Sequence, residues 1–116
     1  MHPLIAAFQN SLRGFAVALR SERAVRQEAV LLALAVPLAL ALSADLWVRV
    51  ALVGTVVAAL AVEMLNTAIE RLCDHVTPQI HPAIGAIKDM GSSAVLCTLI
   101  LMGLVWGAAL LERLGF

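Results

Sequence analysis

The sequence predicts an all-α membrane protein in which an amphipathic surface helix precedes three transmembrane helices. Of its 116 residues, 62% are hydrophobic and only 14% are charged, whereas a soluble domain is nearer half apolar and a quarter charged. Three apolar stretches approach the roughly 20 residues needed to cross a bilayer. The length allows one domain, so we expect residues 1–116 to form a single membrane domain. A small, very apolar soluble bundle is the alternative.

The amino-terminal segment has the period of a helix. Apolar residues recur there at three- and four-residue steps, at Leu4, Ile5, Phe8, Leu12, Phe15 and Leu19. Arg13 and Arg20 lie on other faces, which gives an apolar stripe and a basic side. We expect residues 3–25 to lie along the membrane surface with their arginines toward lipid phosphates. Packing of the stripe against other protein helices is the alternative.

The three predicted spans cover residues 29–46, 48–70 and 91–111. Pro37 interrupts the first run, which neighbouring helices can tolerate within a membrane. Between the first two spans, Ser43-Ala44-Asp45 predicts a short turn in which Asp45 caps the following helix.

Two proline dipeptides break the helical pattern after the second span. These are Thr77-Pro78 and His81-Pro82. They predict a polar loop between the second and third spans.

Basic residues predict the orientation of the chain. Before the first span lie Arg13, Arg20, Arg23 and Arg26, and between the second and third spans lie Arg71 and Lys88. Only Arg49 and Arg113 fall on the opposite side. We therefore expect a cytoplasmic amino terminus and a cytoplasmic polar loop. The net charge of zero gives no indication of a nucleic-acid partner.

The polar residues at the end of the second span share one helical face. They are Glu63, Asn66, Thr67, Glu70 and Asp74. Glu63 follows a long uncharged run, which predicts a position near headgroup depth, and Glu70 lies about 10 Å farther along the axis. A carboxylate at that depth can accept a proton from a lipid hydroxyl. Carboxylates nearer water can hold a divalent ion together with phosphates, and Lys88 can neutralise phosphate charge.

Other readings of this face remain open from the residues alone. The polar groups can serve helix contacts and loop caps, as in a non-catalytic membrane adaptor. Glu63 and Asn66 can also line the polar path of a small oligomeric channel or transporter. Cys73, His75 and His81 do not follow the spacing of a standard zinc site.

The motifs resemble those of the prokaryotic diacylglycerol kinase family, which consists of small integral-membrane lipid kinases. The resemblance lies in Glu63-Met-Leu-Asn-Thr-Ala-Ile-Glu70, in Asp74 and His81, and in Lys88-Asp89-Met-Gly-Ser92. It extends back through Arg26-Gln27-Glu28, Glu22 and Arg13-Gly14. It implies a homotrimer in the bacterial inner membrane with active sites shared between subunits. It also implies transfer of the γ-phosphate of MgATP to a lipid hydroxyl.

The same resemblance implies a role for individual residues. Glu63 would be the general base, Glu22 and Glu70 would hold Mg²⁺, and Asn66 would support the catalytic carboxylate. Asp74 would be a further supporting residue. The ATP contacts would be Asn10, Glu22, Glu70, Gln79, Ile80, His81, Lys88 and Asp89. The lipid site would contain Ser11, Arg13, Arg26, Gln27, Glu28, Glu63 and Ser92.

Two lipid substrates are open within this resemblance. Arg26-Gln27-Glu28 and the segment 88–92 resemble the diacylglycerol kinases. Thr77-Pro78 and His81-Pro82 resemble a sister branch that phosphorylates undecaprenol. We expect phosphorylation of diacylglycerol to phosphatidic acid, with undecaprenol as the alternative substrate.

Overall fold

The fold of the chain is given by a computed structural model, which describes residues 2–77 and 79–116. Within these ranges it contains helices and no strand, so the predicted all-α class is confirmed. The helices are α1 (Pro3–Ser21), α2 (Arg23–Leu42), α3 (Leu46–Val76) and α4 (Pro82–Arg113). Pro78, half of the predicted Thr77-Pro78 break, lies outside the described residues.

Helix α1 exposes its apolar stripe. It begins with Pro3, whose missing N–H costs nothing at a first helical position, and the His2 side chain accepts a hydrogen bond from the Leu4 N–H. Phe8 is 65% exposed and Leu12 is 52% exposed. The helix ends at Ser21, because Glu22 has an extended backbone. No other described part of the chain covers this stripe, which agrees with a helix that lies on a membrane.

Helices α2, α3 and α4 are long and apolar enough to cross a membrane. Helix α3 has 31 residues, which at about 1.5 Å per residue makes it about 45 Å long. The hydrocarbon core of a bilayer is only about 30 Å thick. Part of α3 must therefore extend beyond it, and the polar face that starts at Glu63 occupies one end of the helix.

The predicted polar loop is shorter than the sequence indicated. Helix α3 continues to Val76, and α4 starts directly at Pro82 with His81 as its cap. His81 Nδ1 accepts from the Ala83 N–H at 3.1 Å. Since the following residues contain no further proline, the helix continues into the apolar run. Lys88, Asp89 and Ser92 therefore belong to α4 and not to a loop.

The end of the bundle far from Glu63 is held by side chains that cap and cross-link helices. The predicted capping role of Asp45 is confirmed, since its Oδ1 accepts from the N–H groups of Trp47 and Val48. Arg49 donates back to the carbonyls of Leu40 and Ser43 at the end of α2. These bonds close the turn between α2 and α3.

A small core joins α1 and α2 to α3 on the side of the polar face. Ala18, Val25 and Leu60 are buried together, and Leu32 and Met64 pack against them. Val25 follows the α1–α2 junction and Met64 follows Glu63 in α3. The core therefore brings the junction, and Glu22 within it, to the level at which the polar face begins.

Candidate active site

Glu63 and Glu70 lie on one face of α3, and the Glu22 carboxylate is held against the same helix by Arg71. Glu63 is half-buried on α3. Glu63 itself accepts no side-chain hydrogen bond from the described residues. Its oxygens are therefore available to a ligand.

The Glu22 carboxylate is already paired with a cation. Arg71 Nη2 lies 2.5 Å from Glu22 Oε1, and Arg71 Nε donates to the same oxygen at 3.1 Å. Arg71 also donates to the Ser21 hydroxyl. The three contacts tie the α1–α2 junction to α3 at the residue that follows Glu70.

Asn66 supports Glu70 rather than Glu63 in this arrangement. Its side chain is 8% exposed, and Nδ2 donates to Glu70 Oε1 at 3.2 Å. The other amide atom, Oδ1, is buried with no hydrogen-bond partner among the described residues. It lies against Gly91 of α4. The predicted role of Asn66 beside the catalytic carboxylate stays a prediction.

A polar cleft lies where α3 ends and α4 begins. Lys88 Nζ and Asp74 Oδ1 form an ion pair of 2.6 Å across it. The cleft has a volume of about 150 Å³, and its described lining is Asp74, Thr77, Gln79, Ile80, His81, Ile84, Gly85 and Lys88. Half of the predicted ATP contacts thus come together here. The other half, namely Asn10, Glu22, Glu70 and Asp89, lies outside this lining.

The predicted lipid contacts form separate groups. Arg26 and Gln27 border a hollow of about 300 Å³ with Arg23 and Val30. Arg26 also donates to the Leu19 and Arg20 carbonyls, which end α1.

Apart from Glu63 on α3, the remaining lipid contacts lie on three helices. Ser11 and Arg13 are exposed on α1, where Arg13 donates to Asn10. Glu28 on α2 has a buried Oε2 with no partner among the described residues, and Ser92 is exposed on α4. The structure of one chain therefore leaves these contacts apart.

An apolar crevice between α1 and α3 was not predicted. It has a volume of about 330 Å³ and is lined by Gly14, Val17, Ala18, Met64, Thr67, Ala68 and Arg71. Arg71 and Gly91 are further residues that the sequence analysis gave no place in the site. Arg71 directly follows the motif that ends at Glu70, and Gly91 lies within the motif 88–92. These positions were the only indication in the sequence that the two residues belong near the site. Their partners lie far away in sequence and could not be identified from it.

The carboxylates suit Mg²⁺ bound together with ATP. Mg²⁺ prefers oxygen ligands and is usually held by one or two carboxylates plus substrate phosphates. Among the described residues there is no group of three His, Cys, Asp or Glu side chains that would hold an ion alone. Two carboxylates near the α1–α2 junction, with phosphates as further ligands, meet this requirement. The donor chemistry of Glu22 and Glu70 therefore fits the metal.

Comparison with known proteins identifies the family. A sequence model described as "Prokaryotic diacylglycerol kinase" matches residues 9–110. The chain belongs to this family. The resemblance expected from the motifs is thus confirmed over nearly the whole chain.

Curated relatives agree with this assignment. The diacylglycerol kinase of Escherichia coli (strain K12) is 38% identical over 112 residues, which cover 97% of this chain and 92% of that protein. The enzyme of the same name from Haemophilus influenzae is 33% identical over 107 residues, covering 92% and 91%. That of Pseudomonas aeruginosa is 38% identical over 101 residues, covering 87% and 82%. This family member therefore matches its relatives along their length and not in one motif only.

Proposed function

We propose that the protein is an ATP-dependent lipid kinase that phosphorylates diacylglycerol to phosphatidic acid. Two facts support the substrate and the reaction: membership of the family, and the names of relatives that align over most of their length. The observation that carries the mechanism is the ion pair between Arg71 and Glu22, which holds Glu22 beside the helix that carries Glu63 and Glu70. Glu63 begins the polar face in the carboxyl-terminal half of α3, a helix long enough to project from a bilayer.

Glu63 acts as the general base in this proposal. The lipid hydroxyl oxygen attacks the γ-phosphorus of ATP, the bond from that phosphorus to the β,γ-bridging oxygen breaks, and ADP leaves. The hydroxyl proton passes to the Glu63 carboxylate. Support comes from the place of Glu63 at the start of the polar face of α3 and from its lack of a side-chain hydrogen-bond donor among the described residues. Positioning and electrostatics supply most of the rate in phosphoryl transfer.

Glu22 and Glu70 are the proposed metal ligands. When bound with ATP, Mg²⁺ offsets the negative charge of the phosphates. Glu70 is oriented by the Asn66 amide, while Glu22 is held by Arg71. The Arg71 guanidinium contacts Glu22 Oε1 alone, so it would compete with a metal for the charge of this carboxylate without closing its second oxygen.

The nucleotide is proposed to bind near the cleft between α3 and α4. Lys88 on its border supplies the positive charge that phosphates need, and it is available once it leaves Asp74. Gln79, Ile80 and His81 line the same cleft. Asp89 and Asn10 remain proposed contacts that one chain does not bring to this place.

The lipid is proposed to enter laterally from the membrane and to present its hydroxyl to Glu63. The buried, unpartnered Oε2 of Glu28 supports a ligand with a hydrogen-bond donor on this side of α2, because a buried oxygen without a donor is costly. Arg26 and Gln27 border a hollow on the same helix. The arginines of α1 and α2 can contact headgroup phosphates.

A homotrimer in the inner membrane, with a cytoplasmic amino terminus, completes the proposal. One chain leaves the predicted ATP and lipid contacts in separate groups, and sites shared between subunits would bring such groups together. Val57, Leu65 and Leu72 form an exposed apolar stripe on α3, which offers a surface for another copy. Cross-linking of the protein in membranes tests the oligomer, and labelling of single cysteines at the two chain ends tests the orientation.

One assay separates this function from its alternatives. Purified protein in mixed micelles receives radiolabelled ATP and Mg²⁺ with either diacylglycerol or undecaprenol, and the phosphorylated lipid is counted. We expect label on diacylglycerol. Label on undecaprenol alone would assign the sister activity. Label on neither lipid would favour a channel or an adaptor.

A further inference from the structure

Gly91 of α4 packs so closely against the Asn66 side chain of α3 that there is no room for a Cβ atom. It is the one described residue of α4 that is buried. A Cβ added at Gly91 would overlap Asn66 Oδ1 and would lie 3.3 Å from Asn66 Cγ. The other glycines of the transmembrane helices, including Gly103 in the same helix, would meet nothing within 4 Å. The close approach at Gly91 is therefore specific to Asn66.

The position of the Asn66 amide decides what Glu70 can do. Asn66 Nδ2 is the one side-chain donor that reaches Glu70 within the described residues. Two torsion angles, χ1 and χ2, place the amide group of an asparagine side chain. Because Oδ1 and Nδ2 belong to one planar group, a shift of Oδ1 away from α4 also moves Nδ2. Glu70 is exposed and samples more rotamers when this donor is lost.

We infer that Gly91 is a positioning residue of the proposed metal site: its missing side chain leaves the space in which the Asn66 amide is held against Glu70. The inference rests on the proposed function in taking Glu70 as a metal ligand. Gly91 does not touch metal or substrate. It acts through Asn66, as outer residues commonly orient the ligands of a metal ion and change its affinity about 10- to 100-fold when replaced.

A double-mutant cycle tests this inference without turnover. Mn²⁺ replaces Mg²⁺, and its affinity for the purified protein in detergent micelles is measured by electron paramagnetic resonance with a non-hydrolysable ATP analogue present. The variants are Gly91→Ala, Asn66→Ala and the double variant. Gly103→Ala is the matched control, because it adds the same methyl group to α4 where there is open space.

We expect each single variant to bind Mn²⁺ about tenfold more weakly than wild type and the double variant to bind no more weakly than Asn66→Ala. This follows because Gly91→Ala has nothing to displace once the amide is gone. The KM for diacylglycerol should not change. Wild-type affinity in Gly91→Ala, or a further loss in the double variant beyond Asn66→Ala, would overturn the inference.

The same cycle covers a failure of Gly91→Ala to fold. In the Asn66→Ala protein, a methyl group at position 91 has no Asn66 Oδ1 to overlap. The double variant should therefore fold and should bind Mn²⁺ with the affinity of Asn66→Ala. A double variant that still misfolds would show that Gly91 serves helix packing alone.

Glu70→Gln separates this inference from the proposed function. Normal Mn²⁺ affinity in that variant would remove Glu70 from the metal site and the inference with it, even where lipid phosphorylation persists. A cycle that behaves as expected in a protein that phosphorylates neither lipid would support the positioning role and contradict the proposed activity.

Discussion

Arg71 and Glu22 form an ion pair between residues 49 positions apart in the chain, with Nη2 2.5 Å from Oε1. The pair joins α3 to the junction of α1 and α2. It also places a guanidinium on a carboxylate that we propose as a metal ligand. Arg71 therefore both anchors the junction of α1 and α2 and would compete with the proposed metal for Glu22.

The first prediction concerns this competition. Arg71→Gln should lower the Mg²⁺ concentration needed for half-maximal activity, because the positive charge that competes with Mg²⁺ for Glu22 is removed. Since the side chains of Arg71 and Glu22 are 45% and 32% exposed, such a pair is worth at most about 1 kcal/mol, or about fivefold in affinity. A magnesium titration of lipid phosphorylation measures the change.

Arg20→Gln is the control for Arg71→Gln. It removes the same charge near the end of α1 but only breaks a bond to the Ala16 carbonyl within the helix. An increased Mg²⁺ requirement in Arg71→Gln would show instead that anchoring of Glu22 outweighs competition.

The second prediction tests the proposed base. Glu63→Gln should lower kcat by about a hundredfold to ten-thousandfold, the usual contribution of a general base, because the amide cannot accept the hydroxyl proton in the same way. Helix content by circular dichroism and Mn²⁺ affinity with the ATP analogue should persist.

The control for the base is Glu112→Gln, which makes the same substitution at the exposed far end of α4 and should retain activity. Near-normal turnover in Glu63→Gln would refute the assignment of Glu63 as the base.

The third prediction concerns the nucleotide. Lys88→Met should raise the KM for ATP about tenfold, in the range expected from losing a bond to a charged group, and leave the KM for diacylglycerol nearly unchanged. Initial rates at varied ATP and varied lipid measure both constants. Arg113→Met removes a positive charge from the other end of α4 and should change neither constant. Equal effects of Lys88→Met on both constants would argue against a nucleotide contact.

The fourth prediction separates stability from activity. Trp106 Nε1 donates to the Leu52 carbonyl at 3.0 Å and to Thr55 Oγ1 at 3.2 Å, which links α4 to α3 away from the carboxylates. Trp106→Phe removes the donor and keeps an aromatic, though smaller, ring. It should lower the free energy of unfolding by about 0.5–2 kcal/mol, as for hydrogen bonds between membrane helices, with unchanged KM values.

Unfolding in mixed detergent micelles measures the effect of Trp106→Phe. Trp47→Phe is the control, because Trp47 is 78% exposed and its ring meets little of the described chain. A change in the KM for ATP in Trp106→Phe would show that this contact is coupled to the site.

The helices could be predicted well because their signals are local. Apolar length and helical period place α2, α3 and α4, and Asp45 and His81-Pro82 mark their ends. The extent of α4 was harder to predict. Polar residues such as Lys88 and Asp89 suggest a loop, but they are compatible with a helix whose polar end lies outside the membrane.

The motifs predicted which residues share a helical face, but they did not predict the contacts between helices. The motif placed Glu63, Asn66 and Glu70 on one face of α3, as the structure has them. It did not indicate that Asn66 would turn to Glu70 or that Arg71 would hold Glu22. Such choices depend on side-chain rotamers and on the rotation of neighbouring helices, which a linear pattern does not contain.

The sequence by itself determined the class of the protein, the number of its long apolar helices, its family and the face that carries the carboxylates. These follow from hydrophobicity, periodicity and motif spacing, which are properties of neighbouring residues. Only the tertiary structure decided that Arg71 meets Glu22, that Lys88 meets Asp74 and that Gly91 makes room for Asn66. Each of these contacts joins different helices, so it exists only once packing has set their spacing and rotation.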